Sequence, residues 1–184
     1  ALFSRVCKSV RDLLQVHFAH LFILDEKAEG FRLAATSGEP VGGEDEFTFV
    51  PTGKGLISRV IIHKKPVVVP EVLEDPDWVS PAWAKNAEVR SFLGIPLLLG
   101  DRVVGELSCF SKRAREFRPD EIELMQDFAD QAAIAIDRTQ LFEESRQRTT
   151  TLEALDEIGK AMNSTLEVEA LFKVTVEQVK RLMP

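Results

Sequence analysis

Cysteine and histidine are scarce in this chain, and their scarcity limits the chemistry that its side chains can perform. Two cysteines and three histidines occur among 184 residues. Two cysteines are too few for a disulfide framework in a chain of this length, so we expect a reducing compartment. His17, His20 and His63 fall near predicted element boundaries, where we expect surface side chains rather than metal or haem ligands. The sequence therefore indicates no metal site and identifies no cofactor.

Basic clusters and long apolar runs are also missing. The formal net charge is -7, and the densest basic run, residues 112–115 (KRAR), is short and adjoins a turn. A mildly acidic surface disfavours nucleic acids and anionic membranes as partners. Because no apolar run approaches ~20 residues and no signal peptide opens the chain, we expect a cytoplasmic fragment without membrane contact. The first residue is alanine, so we also expect a piece of a longer protein.

Hydrophobic periodicity predicts an α+β arrangement in which helices are mixed with short strands. Apolar residues at helical spacing predict helices over residues 2–16 and 52–65, the second capped by Thr52 or Gly53. Turn residues separate the apolar runs that predict strands at residues 18–24, 31–35, 46–50 and 67–69.

Residues 89–110 predict the central hairpin of a sheet. Ser91–Leu99 is apolar at nearly every position, Val103–Phe110 follows, and Gly100-Asp101 stands between them as a two-residue turn. A strand with so few polar positions is expected to be buried on both faces. We expect this hairpin to form the centre of the sheet on which a small molecule binds.

The segment before the hairpin, residues 70–88, is expected to be irregular. It contains three prolines, several acidic residues and both tryptophans of the chain, Trp78 and Trp83. A connection of this length inside a compact domain is usually functional. We therefore expect segment 70–88 to act as a lid.

A long helix is predicted from Pro119, because proline and acidic residues are favourable in a first turn. No glycine or proline follows until Gly159, so we expect about 40 residues of helix, ending near Asn163-Ser164. Its second part has a coiled-coil spacing of four and three, with imperfect core residues at Ser145, Arg148 and Gly159. A helix that leaves its own domain needs a partner, and a parallel second copy is the simplest one.

Several short motifs together resemble those of a GAF domain. In chain order they are residues 53–57 (GKGLI), 66–69 (PVVV), 89–97 (VRSFLGIPL), 105–107 (GEL), 115–117 (REF) and 131–136 (QAAIAI). The resemblance implies a central antiparallel sheet of five or six strands with helices on one face and a long C-terminal linker helix. It places a small-molecule pocket on the other face.

The resemblance also suggests how the chain is divided. Residues 1–142 match the GAF pattern, and residues 143–163 are expected to be a coiled-coil linker helix. Residues 170–184 repeat part of the pattern of residues 1–15, so residues 164–184 are expected to begin a second, truncated GAF domain. Two amphipathic helices that match by chance are the alternative. A parallel homodimer is expected through residues 1–16 and 119–163.

The implied pocket lies between the sheet, the helix that begins near Gly53 and segment 70–88. Its helix start offers free backbone N–H groups to an anionic group, and its aromatic side chains supply walls. Candidate ligand-binding residues are Phe49, Gly53, Gly55, Leu56, Trp78, Trp83, Arg90, Ser91 and Phe92. In the alternative interpretation both tryptophans only anchor the loop and Phe92 only packs in the core.

GAF domains differ in their ligands, and the residues narrow the choice. Residues 70–92 contain no cysteine for a covalent bilin, and Cys7 and Cys109 are too far apart in sequence to suggest methionine-sulfoxide reduction. A cyclic-nucleotide pattern is present in part, as Lys112, Phe117 and Asp120-Glu121, with serine replacing its asparagine. That ligand therefore stays open as an alternative.

We expect a regulatory sensor domain that binds a small molecule and passes the change through a dimeric linker helix. The alternative is a dimerisation or spacer domain with an empty pocket. We expect no catalytic residues, because the sequence shows no nucleophile–base pair and no paired acid and base. The complete protein is expected to be a histidine kinase of a two-component system, a cyclic-dinucleotide enzyme or a transcription activator.

Overall fold

The computed structural model describes residues 2–41 and 47–182, without the side chains of some residues beyond 142. The chain forms two units, Ala1–Arg138 and Thr139–Pro184. In chain order the elements are α1 (Leu2–Leu13), β1 (Phe18–Asp25), β2 (Gly30–Ser37), β3 (Phe49–Pro51), α2 (Gly55–His63), β4 (Val67–Val69), α3 (Pro81–Asn86), β5 (Ser91–Leu99), β6 (Arg102–Ser111) and α4 (Pro119–Leu182).

The first unit is built on a six-stranded antiparallel sheet. Its strand order is β3-β2-β1-β6-β5-β4, so the predicted hairpin of β5 and β6 lies in the interior of the sheet. Strand β5 is buried at its first seven positions, which confirms the expectation of burial on both faces. Gly100 adopts a φ of 59° in the turn, a conformation that glycine adopts without steric cost. The predicted fold class is confirmed.

Alternation along the strands divides the core into two clusters, one on each face. On one face, Leu21, Leu107 and Cys109 pack with apolar residues of α1 and the start of α4. On the other face, Phe22 and Phe110 pack with α2 and α3. Because successive strand residues point to opposite faces, each central strand contributes to both clusters.

Helix α2 begins later than the sequence predicts. Its N-cap is Lys54, with extended backbone and no side-chain cap, so the expected cap at Thr52 or Gly53 is wrong. Gly53 and Gly55 have φ values of 85° and 73°, and these positive-φ conformations turn the chain where the helix begins. The Ser58 hydroxyl donates to the Lys54 carbonyl at 2.7 Å.

Segment 70–88 is more regular than predicted. It contains a 3₁₀ turn at Val72–Glu74 and helix α3, which buries Trp83 and Ala84. Pro81 occupies the first turn of α3, where its fixed φ and missing N–H are compatible with a helix. The expectation of an irregular segment is therefore wrong for these two stretches.

Helix α4 runs without interruption from Pro119 to Leu182, so the predicted end at Asn163-Ser164 is wrong. Asparagine and serine each cost a helix only a fraction of a kcal/mol, and neither glycine nor proline occurs between Lys160 and Leu182. The assignment of residues 164–184 to a second domain stays a prediction. Among the described helices none combines the length and apolar character needed to cross a membrane.

Candidate functional site: an aromatic cavity beneath segment 70–88

A cavity of about 40 Å³ lies on the face of the sheet that α2 and α3 cover. Its lining comes from four strands, both helices and segment 70–88. The described lining residues are His20, Phe22, Phe47, Val50, Gly55, Leu56, Ile57, Trp78, Val79, Ser80, Trp83, Phe92, Ser108 and Phe110.

Aromatic rings form a continuous set of contacts around this cavity. Trp83 lies edge-on to Phe47 and Phe110, with ring centroids 4.9 and 5.1 Å apart. Trp78 is 6.2 Å from Trp83, and Phe92 is 5.4 Å from Phe110. Edge-to-face pairs are favourable beyond their buried area and hold rings in fixed orientations. The cavity therefore has rigid aromatic walls.

His20 is the functional candidate that sequence reasoning missed. It lies inside β1 rather than at a helix end, and it is 2 % exposed. Its ring stacks on Phe47 with a centroid distance of 4.8 Å and lines the cavity. The signal was the alternation Phe18-x-His20-x-Phe22, which places all three side chains on the same face of a strand. His17 and His63 do not line the cavity.

Glu106 and Ser108 place polar groups at the floor of the aromatic face. Glu106 is fully buried on β6, and the Ser108 hydroxyl donates to its Oε2 at 3.1 Å. Its Oε1 has no hydrogen-bond partner among the described residues. Burial raises the pKa of Glu106 well above its ordinary value, although the hydrogen bond from Ser108 opposes this. Residues 105–107 (GEL) contributed to the family resemblance, but nothing in the sequence assigned Glu106 a role.

Ion pairs fasten segment 70–88 to the rest of the first unit. The Arg59 guanidinium on α2 donates to Asp75 at 2.7 Å and to Asp77 at 3.3 Å. Arg90 donates through Nε to Glu71 at 2.9 Å. These contacts position Trp78, whose buried Nε1–H has no acceptor among the described residues. The segment therefore covers the cavity and leaves an indole donor unpaired beside it.

Five of the nine residues predicted to bind a ligand line the cavity, namely Gly55, Leu56, Trp78, Trp83 and Phe92. Their binding role stays a prediction. The structure brings them together with His20 and Ser108, which the sequence analysis did not select.

The other four predicted residues lie outside the cavity. The Arg32 guanidinium covers the ring of Phe49 at 5.6 Å, and Gly53 is in an exposed turn. Arg90 is exposed and paired with Glu71. Ser91 is buried, but its hydroxyl donates to the Arg113 carbonyl at 2.9 Å. Arg90 and Ser91 thus stabilise the start of β5 and lie outside the cavity lining, so their binding role stays a prediction.

Neither cysteine faces the cavity. Both side chains are buried in the cluster between the sheet, α1 and α4. Burial raises the pKa of Cys7 to about 12 and also raises the pKa of Cys109. Since the thiolate is the nucleophile, these thiols are poor candidates for redox chemistry. No group of metal-ligating side chains occurs among the described residues.

The partial cyclic-nucleotide pattern lies around the start of α4. Glu121 accepts the backbone N–H of Arg118 at 2.8 Å and pairs with Arg115, so it caps the helix. Phe117 is buried against the cluster that α1 and α4 share. Lys112 pairs with Glu88 at 3.2 Å. These contacts account for the pattern without a nucleotide.

Comparison with known proteins agrees with this architecture. Residues 1–136 match the GAF domain family. The chain is 28% identical over 109 residues to the circadian input-output histidine kinase CikA of Thermosynechococcus vestitus, covering 54% of this chain and 15% of that protein. It is 25% identical over 186 residues to the Nif-specific regulatory protein of Herbaspirillum seropedicae, covering 90% of this chain and 34% of that protein. The chain thus spans at most about a third of these relatives.

The same fold occurs in an enzyme. Free methionine-R-sulfoxide reductase of Neisseria meningitidis superposes with a TM-score of 0.61 at 19% identity, covering 74% of this chain and 78% of that one. This similarity concerns the fold alone, because fold does not determine function.

Proposed function

Because the chain belongs to the GAF domain family, we propose that it is a sensor domain that binds a small molecule in its aromatic cavity. One observation carries the proposal: the cavity under segment 70–88 has rigid aromatic walls and unpaired buried polar atoms beside it. Buried polar atoms are normally hydrogen-bonded, so unpaired ones beside a cavity indicate positions that a ligand can satisfy.

Strand β6 offers a physical route from the cavity to the helices. Phe110 lines the cavity, whereas its neighbour Cys109 packs in the cluster that contains Met125 and Ala129 of α4. A change in the position of Phe110 therefore reaches α4 through one strand. We propose that ligand binding closes segment 70–88 and shifts the packing of α4.

A parallel homodimer through residues 1–16 and 119–163 completes the proposal. Apolar side chains that a dimer would cover are exposed on the first unit at Leu2, Leu13 and Ile134. In the second unit Leu152 and Leu155 are also exposed, at a heptad-compatible spacing. The complete protein would then be a histidine kinase, a cyclic-dinucleotide enzyme or a transcription activator, as the kinase and regulator relatives suggest.

Thermal unfolding with compounds of three charge classes tests this proposal. Val79 lines the cavity and is 46% exposed, so Val79→Trp should block the opening without entering the core. Leu73 is equally exposed but does not line the cavity, so Leu73→Trp is the matched control. We expect that at least one compound will raise the melting temperature of the unaltered chain and of the control variant, and will leave the melting temperature of Val79→Trp unchanged. If no compound does so, a spacer domain with an empty cavity is the better account.

A further inference from the structure

We propose that the cavity takes a compact organic cation, such as a methylated ammonium or a protonated nitrogen heterocycle. This inference rests on the proposed function and specifies the chemical class of its ligand. Three features of the site support it independently: the aromatic walls, the distribution of charge, and a buried carboxyl group.

The walls present π-systems from several directions. Trp78, Trp83, Phe47 and Phe110 lie within a connected set of ring contacts of 4.9–6.2 Å. The face of an aromatic ring attracts a cation, tryptophan most strongly, and cages of such rings recognise quaternary ammonium groups.

The charges near the cavity favour a cation over an anion. The described lining residues include no lysine, arginine, aspartate or glutamate, so a carboxylate or phosphate would meet only the backbone N–H groups at the start of α2 and no fixed positive side chain. Segment 70–88 carries five acidic residues and one lysine. Arg59, Arg90 and Lys112 pair with acidic residues of the segment from outside it, so one negative charge remains in excess.

Glu106 is the nearby group that would act as counter-ion, although its carboxyl does not itself line the cavity. Its unpartnered Oε1 lies in the space beside Gly94, within the reach of the Phe92 ring that lines the cavity. Ser108 lines the cavity and donates to the other oxygen of the same carboxyl. A buried carboxylate is stable only when it is paired. A bound cation would provide that partner and allow the proton to leave.

The surroundings of Glu106 contain few competing charges. On the same face, His20 lies two residues from Phe22, the β1 partner of Glu106, and α2 contributes the apolar Val60. Cys7 and Cys109, on the opposite face, carry raised pKa values and stay uncharged near neutral pH. A cation in the cavity therefore has His20 in the lining, and Glu106 beside the lining residues Ser108 and Phe92, as its ionisable neighbours among the described residues.

Isothermal titration of the chain with choline and with 3,3-dimethylbutan-1-ol tests the inference. The alcohol is the neutral carbon analogue of choline, so the two differ in charge at nearly constant shape. We expect choline to bind at least tenfold more tightly. Equal affinity, tighter binding of the alcohol, or no binding of choline would overturn the inference.

Two variants separate charge recognition from simple packing. Glu106→Gln keeps the size of the side chain. We expect it to lower the affinity for choline about tenfold and to leave the affinity for the alcohol unchanged. Trp78→Leu should likewise weaken choline more than the alcohol. Equal losses for both compounds in both variants would contradict the inference, because shape alone would then explain binding.

Proton release gives a readout that a structural role of Glu106 would not move. If the cation displaces the carboxyl proton, the heat of choline binding near neutral pH will depend on the ionisation enthalpy of the buffer. We expect this dependence in the unaltered chain and its absence in Glu106→Gln. The same buffer dependence in both proteins would contradict the role of Glu106.

Failure of this inference is distinguishable from failure of the proposed function. Suppose that benzoate or the neutral alcohol binds, that Val79→Trp abolishes this binding, and that choline does not bind. The proposal of a cationic ligand would then be refuted, and the proposal of a sensor domain would stand. No binding by any charge class would refute both.

Discussion

Gly94 on β5 leaves the space that the carboxyl group of Glu106 on β6 occupies. A Cβ at position 94 would lie 2.6 Å from Glu106 Oε1, 2.5 Å from Phe92 Cζ and 2.7 Å from Val60 Cγ2. Real Cβ atoms essentially never approach other atoms so closely. The glycine and the buried acid are therefore a matched pair in the centre of the sheet.

Gly94→Ala should destabilise the domain by about 1–3 kcal/mol, the usual cost of overpacking a core. Urea unfolding followed by tryptophan fluorescence measures this cost. In a Glu106→Ala background, where the carboxyl group is gone, we expect a smaller cost. An equal cost in both backgrounds would show that Glu106 is not the neighbour that requires glycine.

Glu106→Gln should gain stability over the unaltered chain as pH rises. The carboxyl keeps its proton in the folded state, because burial raises its pKa, whereas the unfolded chain releases it above about pH 4.3. The free energy of unfolding of the unaltered chain therefore falls by up to about 1.4 kcal/mol per pH unit from this group, until the raised pKa is reached. Glutamine lacks this dependence. If the free energies of unfolding of the unaltered chain and of Glu106→Gln change in parallel between pH 5 and 8, Glu106 is not protonated in the folded state.

Glu121→Ala should destabilise the start of α4 by about 1–2 kcal/mol, because it removes a cap and leaves Arg115 unpaired. The neighbouring Asp120→Ala is the control, since the Asp120 pair with Arg118 is exposed on both sides and should contribute less than about 0.5 kcal/mol. Chemical unfolding compares the two. Equal losses of stability in Glu121→Ala and Asp120→Ala would show that Glu121 does not cap the helix.

Acid should weaken this cap. Burial opposes ionisation of Glu121, but the bonds from Arg115 and the Arg118 N–H hold its pKa below the ordinary value. Its contribution is thus complete above the unfolded pKa of about 4.3 and is lost as pH falls through the lowered folded pKa. The stability difference between the unaltered chain and Glu121→Ala should shrink on acidification below pH 4.

Arg59→Met should loosen segment 70–88 while keeping an apolar stem on α2. Asp75 is largely buried and would lose its cation, so we expect faster amide exchange over residues 72–80 and greater acrylamide quenching of tryptophan. Arg32→Met, which removes the more exposed pair with Asp25, is the control. Unchanged exchange over residues 72–80 would show that the ion pairs do not fasten the segment.

The sequence was sufficient for the central hairpin, because its signals were local. The apolar run Ser91–Leu99 and the Gly100-Asp101 turn specified the central hairpin, and both are present. The end of α4 could not be predicted in the same way, since Asn163-Ser164 resembles a break but costs a helix little. Helix α3 is six residues long, and its position depends on burial of Trp83 rather than on a periodic pattern.

The site was only partly predictable, because the contacts that each side chain makes in the fold are not evident from its type. The sequence predicts binding roles for Trp78 and Trp83, the only tryptophans of the chain, and for Phe92 at the start of the hairpin. All three line the cavity. Arg90 was selected for its charge, but Glu71 already pairs with it. His20 was missed because it was assigned to an element boundary, although the strand predicted at residues 18–24 already places it on the same face as Phe18 and Phe22.

Hydrogen exchange of the chain, with and without a compound whose binding Val79→Trp abolishes, tests whether ligand binding in the cavity changes α4. We expect slower exchange over residues 74–83 together with a change over residues 112–125, where β6 leads into α4. Protection confined to residues 74–83 would contradict transmission from the cavity to the helix. If no cationic, anionic or neutral compound binds in this way, the proposal that the domain is a sensor is contradicted.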